Sequence, residues 1–166
     1  MNTVTLEGAA VDVDAEGFFV HPDQWTRLRE HPELFDLAAE EIVRWASPVI
    51  YFRRSVTHDT ELRGQQLRAG DKITVWYPSA NRDDDVFDRP FDFDIGRDPN
   101  PHIGFGGRGP HFCLGANLAR LEIKALFEEL SNRMPDISAV EPPARLRSNF
   151  IHGIKHLPVQ WSTPAS

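Results

Sequence analysis

The sequence predicts an α+β fold, mainly α. Apolar residues recur at helical spacing over 32–45 and again over 114–130, whereas β-branched and aromatic residues dominate 49–77. Between the second and third of these lies a proline- and glycine-rich stretch, 78–112, with neither period. At 166 residues the chain has the length of about one domain and can bury on the order of two-thirds of its unfolded surface. Hydrophobic residues make up 40% and charged residues 26%, the balance of an ordinary globular protein.

Several classes are excluded by composition. The formal net charge of −7 argues against nucleic acid as a partner, which needs a basic footprint. No apolar run approaches the roughly 18 residues of a membrane segment. The first twenty residues carry Glu7, Asp12, Asp14 and Glu16 with no basic cluster, unlike a secretory signal. The single cysteine, Cys113, excludes an internal disulfide framework and a multi-cysteine zinc site, and without an export signal it fits a reducing cytoplasm.

The elements follow in order. Residues 1–20 alternate weakly at Val4, Leu6, Val11 and Val13, and read as a short strand pair or as disordered. Over 22–46 two helices are expected, each opened by a proline (Pro22, Pro32) that has no N–H to lose there. The second shows Leu34, Leu37, Ala38, Ile42 and Trp45 at helical spacing, and Pro48 ends it. Strands are expected over 49–77, with turns at Arg63-Gly64 and Ala69-Gly70-Asp71. The segment 78–112 holds Pro78, Pro90, Pro99, Pro101 and Pro110, and its Phe87, Phe91, Phe93 and Phe105 argue that it is packed. A helix over 114–130, apolar nearly all round through Leu114, Leu118, Leu121, Ile123, Ala125, Leu126 and Phe127, is expected to be buried. The tail, 145–161, reads as a hairpin turning at His152-Gly153.

The chemistry points to FGGRGPHFCLG, 105–115. Its four glycines free the backbone to take positive φ and to approach a flat ligand closely, and Cys113 stands just before the helix, where the dipole and free N–H groups favour a thiolate. Such a cysteine is inert filler, a nucleophile or a metal ligand.

Gly109, His111, Cys113 and Gly115 fall at the spacing G-x-H-x-C-x-G. The segment resembles the haem-binding loop of the cytochrome P-450 superfamily, whose cysteine thiolate is the axial ligand of haem iron and favours O–O cleavage. The family's phenylalanine stands seven residues before the cysteine, where this chain has Gly106; Phe105 lies one residue further back, as in the longer FGG form of some actinobacterial members. Glu41 and Arg44 match the family's E-x-x-R pair, which by resemblance is buried and structural. The family often adds an arginine just before a Phe-Asp pair. Asp92 stands there, before Phe93-Asp94, so a third member is expected to be missing.

The resemblance divides the chain into an unmatched segment, 1–20, and a haem-binding part, 21–166, resembling the C-terminal part of the P-450 fold. It implies haem b (iron-protoporphyrin IX) as cofactor. Cys113 would ligate the metal, and Arg54, Phe105, Gly107, Gly109, His111 and Gly115 would bind the cofactor, with Arg54 and His111 on its propionates. Val49, Ile50, Phe150 and Ile151 would contact substrate. No catalytic residue is identified.

The family's long distal helix, with its A-G-x-(D/E)-T arrangement, has no counterpart near Thr3 or Thr5, so the chain reads as truncated. The implied function is a haem-thiolate monooxygenase acting on a hydrophobic small molecule (a sterol, branched lipid or terpene), with a ferredoxin or flavoprotein as electron donor. The alternative is a non-catalytic remnant or haem-binding module. A cysteine hydrolase pairing Cys113 with His111 is a third class, disfavoured because a base two residues away on one loop does not readily face the sulfur.

Overall fold

The computed structural model describes residues 2–7 and 21–162, and shows an α+β arrangement with more residues in helices than in strands. Pro22 opens α1 (Pro22–Glu30), which buries Trp25 and Leu28. The Trp25 indole N–H donates to the Pro135 carbonyl at 3.0 Å, tying α1 to the end of the last helix. Pro32 opens a single 3-10 turn (Pro32–Leu34), and the α-helix proper, α2, runs Phe35–Ala46. It is buried on nearly every side by Phe35, Ala38, Ala39, Ile42, Val43 and Ala46, and it ends where Ser47 takes φ 41° ahead of Pro48.

The chain then forms an antiparallel pair, β2 (Tyr51–Ser55) with β5 (Lys72–Trp76), Tyr51 opposite Trp76 and Ser55 opposite Lys72. Between them β3 (Thr60–Leu62) and β4 (Gln65–Leu67) make a hairpin. Its two loop residues are the expected Arg63-Gly64, both at positive φ, 47° and 81°, as a tight type I′ turn requires. One helical turn, α3 (Tyr77–Ala80), with Pro78 near its start, adds an element that the sequence reading placed in the irregular stretch.

From there to residue 115 the chain has no regular element, yet it is packed: Phe87, Phe93 and Ile95 are buried, while Phe91 is exposed. The long helix α4 (Ala116–Arg133) lies against α2. Behind it β6 (Ser138–Ala139) and β7 (Ala144–Arg145) each pair antiparallel with β8 (Ile154–Trp161). On its other edge β8 pairs with β1 (Asn2–Glu7), Asn2 opposite Trp161 and Glu7 opposite His156. The first alternation predicted for 1–20 is thus a strand. The second, at Val11 and Val13, lies outside the described residues. The core joins Trp25, Leu28, Ile42, Phe93, Ile95, Ile123, Phe127, Leu157 and Val159.

Two expectations are corrected. The tail pairs only from Arg145–Ile154 outwards, so the connection spans 146–153 and does not turn tightly at His152-Gly153. Phe150 and Ile151 face the chain leaving α2: the Ile50 N–H donates to the Phe150 carbonyl at 2.9 Å, and Val49 bridges Ile151. The second correction concerns α4, which buries only Ala116, Ile123 and Phe127. Leu114 is fully exposed, Leu118 59% and Leu121 63% exposed, so one stripe at i, i+4 and i+7 has no cover within the described residues.

A stripe of this kind is expected to bind a hydrophobic dye strongly in the purified chain, because apolar patches beyond a few hundred Å² are unusual on soluble monomers. Replacing Leu118 and Leu121 by glutamate should cut the dye fluorescence without lowering the melting temperature, read by paired dye titration and thermal unfolding. Weak binding by the unmodified chain would show that the stripe is covered in solution.

Candidate functional site

The site is built on one buried carboxylate. Glu41 and Arg44 are both fully buried on α2 and face each other as a two-point pair, Arg44 Nε and Nη2 each donating at 2.7 Å to the two Glu41 oxygens. Arg44 also donates to the carbonyls of Asn81 (2.8 Å), Pro90 (2.8 Å) and Asp92 (2.9 Å), and its guanidinium stands 5.4 Å from the Phe87 ring. Glu41 accepts further from the Asp94 N–H at 2.9 Å and from Asn100 Nδ2 at 3.0 Å.

A third charged member is present, contrary to the expectation from Asp92. Arg97 donates from Nε to Glu41 at 3.2 Å, and from Nη1 and Nη2 to the carbonyls of Asp88 (2.6 Å), Arg89 (3.1 Å) and Asp92 (3.0 Å). The reason is the turn at Asp94-Ile95-Gly96. Asp94 Oδ1 accepts from the Gly96 N–H at 3.0 Å and reverses the chain, so an arginine after the Phe-Asp pair reaches the place sought from one before it. A Cβ on Gly96 would come within 2.3 Å of the Arg27 guanidinium, so α1's arginine lies directly against this turn.

The cysteine loop rests on that frame. The Ile103 N–H donates to Asn81 Oδ1 at 2.8 Å, and Gly104 sits so close to α2 that a Cβ would lie 2.5 Å from Val43 Cγ1. Gly106 and Gly109 take φ of 90° and 123°, a region that favours glycine. The Cys113 N–H donates to the Phe105 carbonyl at 3.0 Å, closing the loop. Gly115 is the residue before α4, and the Cys113 thiol is exposed.

These residues fit a flat, apolar group with one axial thiolate. The chain on either side of the thiol exposes apolar side chains, Phe112, Leu114 and Leu118, so the one soft ligand stands in an apolar, uncovered stretch of sequence. Gly107 has an unstrained φ and no described atom within 4 Å of where a Cβ would be. A glycine is not needed there by the surrounding chain, and it leaves room for a plane to approach.

The remaining candidates are placed as follows. Arg54 is exposed on β2, bonded to the Arg53 carbonyl at 3.1 Å and 5.9 Å over the Phe52 ring, with no carboxylate partner among the described residues. Phe52 lies 6.0 Å from Tyr77, whose hydroxyl would stand 3.6 Å from a Cβ on Gly106, so aromatic contacts connect Arg54 to the loop. His111 is exposed in the loop, and its side chain makes no hydrogen bond among the described residues. Val49, Ile50, Phe150 and Ile151 are brought together by the bridge already described.

Sequence reasoning missed a second charged cluster. Glu40 of α2, His102 and Arg120 of α4 meet beneath Phe105: His102 Nε2 lies 2.8 Å and Arg120 Nη2 3.1 Å from Glu40 Oε2, with Arg120 Nε on Oε1. Burial pushes the Glu40 carboxyl up, but the hydrogen bonds from His102 and Arg120 and the charge of Arg120 outweigh it and bring it down to about 2. The visible signal was the Glu40-Glu41 doublet, in which two adjacent acids on a buried helix both need partners.

Fold and loop together fit the haem-thiolate class. The profile of the cytochrome P-450 family matches residues 23–133, and the chain belongs to that family. A methyl-branched lipid omega-hydroxylase of Mycobacterium tuberculosis is 65% identical over 143 residues, which make up 86% of this chain and 33% of the relative. A steroid C26-monooxygenase of Rhodococcus jostii is 50% identical over 147 residues, 88% of this chain and 31% of the relative. Among solved structures, a Mycobacterium marinum cytochrome P-450 in complex with pseudoionone superposes with a TM-score of 0.86 at 43% identity, covering 91% of this chain and 36% of that one. The chain thus spans about a third of the length of the curated relatives it matches. No helix among the described residues is long and apolar enough to cross a membrane.

Arg44→Ala is expected to cost about 3–5 kcal/mol, since it leaves a carboxylate buried with half its charge partners gone. Arg97→Ala should also destabilise, to a lesser degree, because Arg44 keeps both Glu41 oxygens paired. Denaturant melts of the two variants check the order, and a neutral Arg44→Ala would mean that the pair is solvated.

Stability should also depend on Glu40. Its carboxyl titrates near the ordinary 4.5 when unfolded and at about 2 when folded. Its contribution, up to about 3 kcal/mol at 1.36 kcal/mol per unit, is therefore full above pH 4.5 and lost as pH falls towards 2. Glu40→Gln should flatten the pH dependence of the melting temperature in that window. An unchanged slope would place the titration elsewhere.

Proposed function

We propose that residues 21–166 are the haem-holding part of a cytochrome P-450 monooxygenase acting on a hydrophobic lipid, with Cys113 as the axial ligand of the iron. The observation that carries this is the exposed Cys113 thiol just before α4, its N–H closed onto the Phe105 carbonyl across a loop in which Gly106 and Gly109 take positive φ, with Phe112, Leu114 and Leu118 nearby in sequence and also exposed. When bound, haem would supply the iron that activates dioxygen. The chain's own residues bind and orient. Cys113 would hold the iron from one side, Gly107 and Gly115 would let the plane approach, and Phe105 would lie beneath the loop. Arg54 and His111, exposed and without a carboxylate partner among the described residues, would take the propionates by charge-assisted hydrogen bonds. No residue of this chain is assigned a proton transfer.

The substrate class rests on the relatives, one named for methyl-branched lipids and another for steroids. Val49, Ile50, Phe150 and Ile151, paired through their backbones, would contact such a molecule. A ferredoxin or flavoprotein would donate electrons. A cytoplasmic setting follows from the need to keep Cys113 reduced. Because the matched region is about a third of the relatives' length, turnover is expected to require the remainder of the fold.

The test is the absorption spectrum of the chain loaded with haem, reduced and exposed to carbon monoxide. A thiolate band is expected, and Cys113→Ala should abolish it while Arg54→Ala leaves it in place and weakens haem retention. A thiolate band surviving in Cys113→Ala, or none in the unmodified chain, would refute the assignment.

A further inference from the structure

We infer that Glu40, His102 and Arg120 are positioning residues that hold the Cys113 loop in register by gripping Phe105. Glu40 stands on α2, His102 in the irregular segment and Arg120 on α4, so the cluster joins the three pieces of chain that surround the loop. His102 has one available tautomer. Its Nδ1 accepts from the Gly104 N–H at 3.1 Å, so the ring proton sits on Nε2 and is donated to Glu40. Arg120 is oriented by both Glu40 oxygens and lays its guanidinium 4.6 Å from the centre of the Phe105 ring, which also lies 5.9 Å from the His102 ring. Phe105 is therefore held against both a cation and an imidazole, each fixed by one carboxylate.

Phe105 is where this clamp meets the cysteine. Its carbonyl accepts the Cys113 N–H at 3.0 Å, and the next residue, Gly106, donates to the Ile103 carbonyl at 2.8 Å. Moving the ring moves that carbonyl, and with it the backbone that carries the thiol. The cluster is separate from Glu41, Arg44 and Arg97. Those bonds run to the carbonyls of residues 81–92 and to Asn100, whereas these run to 102–105 and α4. The chain has thus two acid–base frames on consecutive residues of α2, one for the irregular segment and one for the cysteine loop. The longer FGG loop gives the second frame its purpose, since one extra residue between Phe105 and Cys113 leaves more slack to remove.

The spectroscopic arm of the test rests on Cys113 being the iron ligand; the exchange arm does not. Amide hydrogen exchange of the full chain would be followed residue by residue in the unmodified protein and in His102→Ala, Arg120→Ala and the conservative Arg120→Lys. In the two alanine variants exchange at Cys113 and Gly106 should quicken about tenfold while the amides of β2 and β5 keep their rates, the pattern of a local opening. Arg120→Lys should recover part of the protection. In the haem-loaded alanine variants, the thiolate fraction of the reduced carbon monoxide form should fall while haem stays bound. Unchanged exchange at Cys113 would overturn the proposal, as would a uniform acceleration across all strands, which would reduce the cluster to a general prop. A chain that lacks the thiolate band before mutation refutes the haem assignment alone, and the exchange rates still decide whether the clamp holds the loop.

Discussion

The structure depends on the buried carboxylate of Glu41. A charge with no solvent contact is tolerable only when every lone pair is met, and here two guanidiniums, a side-chain amide and a backbone N–H converge on it. The two arginines then spend their remaining donors on backbone carbonyls at 81, 88, 89, 90 and 92. A long irregular segment can be buried because those carbonyls find partners outside any helix or sheet. Without Arg44 and Arg97, the stretch carrying Phe87 and Phe93 into the core would have unpaired acceptors there.

The cysteine loop inherits its position from that frame by contact. Asn81, itself fully buried and bonded to Ser47 at the end of α2, accepts the Ile103 N–H. Gly104 then brings the backbone against Val43. What reaches the surface is a thiol at a helix start among uncovered leucines, which is an arrangement suited to binding a large apolar partner or cofactor and poorly suited to standing in water.

The relatives give that surface a context. The chain spans about a third of their length, and the stripe of Leu114, Leu118 and Leu121 is the kind of face that a larger fold would cover. Here lies the physical reason for the discrepancy over α4. An all-round apolar pattern reports that a helix is adapted to be surrounded, and the described residues cover it on the side of Ile123 and Phe127, where α1 and α2 pack, but not along Leu118 and Leu121.

Periodicity and punctuation determined much of this protein directly from the sequence. The helices opened by Pro22 and Pro32 and the Arg63-Gly64 turn were legible, because local backbone preference does not need distant partners, whereas the burial of Glu41 with Arg44 came from the family resemblance and not from their i,i+3 spacing. The spacing of Gly109, His111, Cys113 and Gly115 likewise placed the candidate loop. Only tertiary structure decided what depends on the chain folding back on itself. Arg97 replaces the arginine sought near Asp92 because a turn at Gly96 reverses the segment. Glu40, His102 and Arg120, separated by as many as 80 residues, become one cluster. Residues 150–151 leave their hairpin to pair with Val49 and Ile50 in the chain that follows α2. Each of these rests on contacts between residues far apart in sequence, and such contacts leave no periodic trace in a single chain.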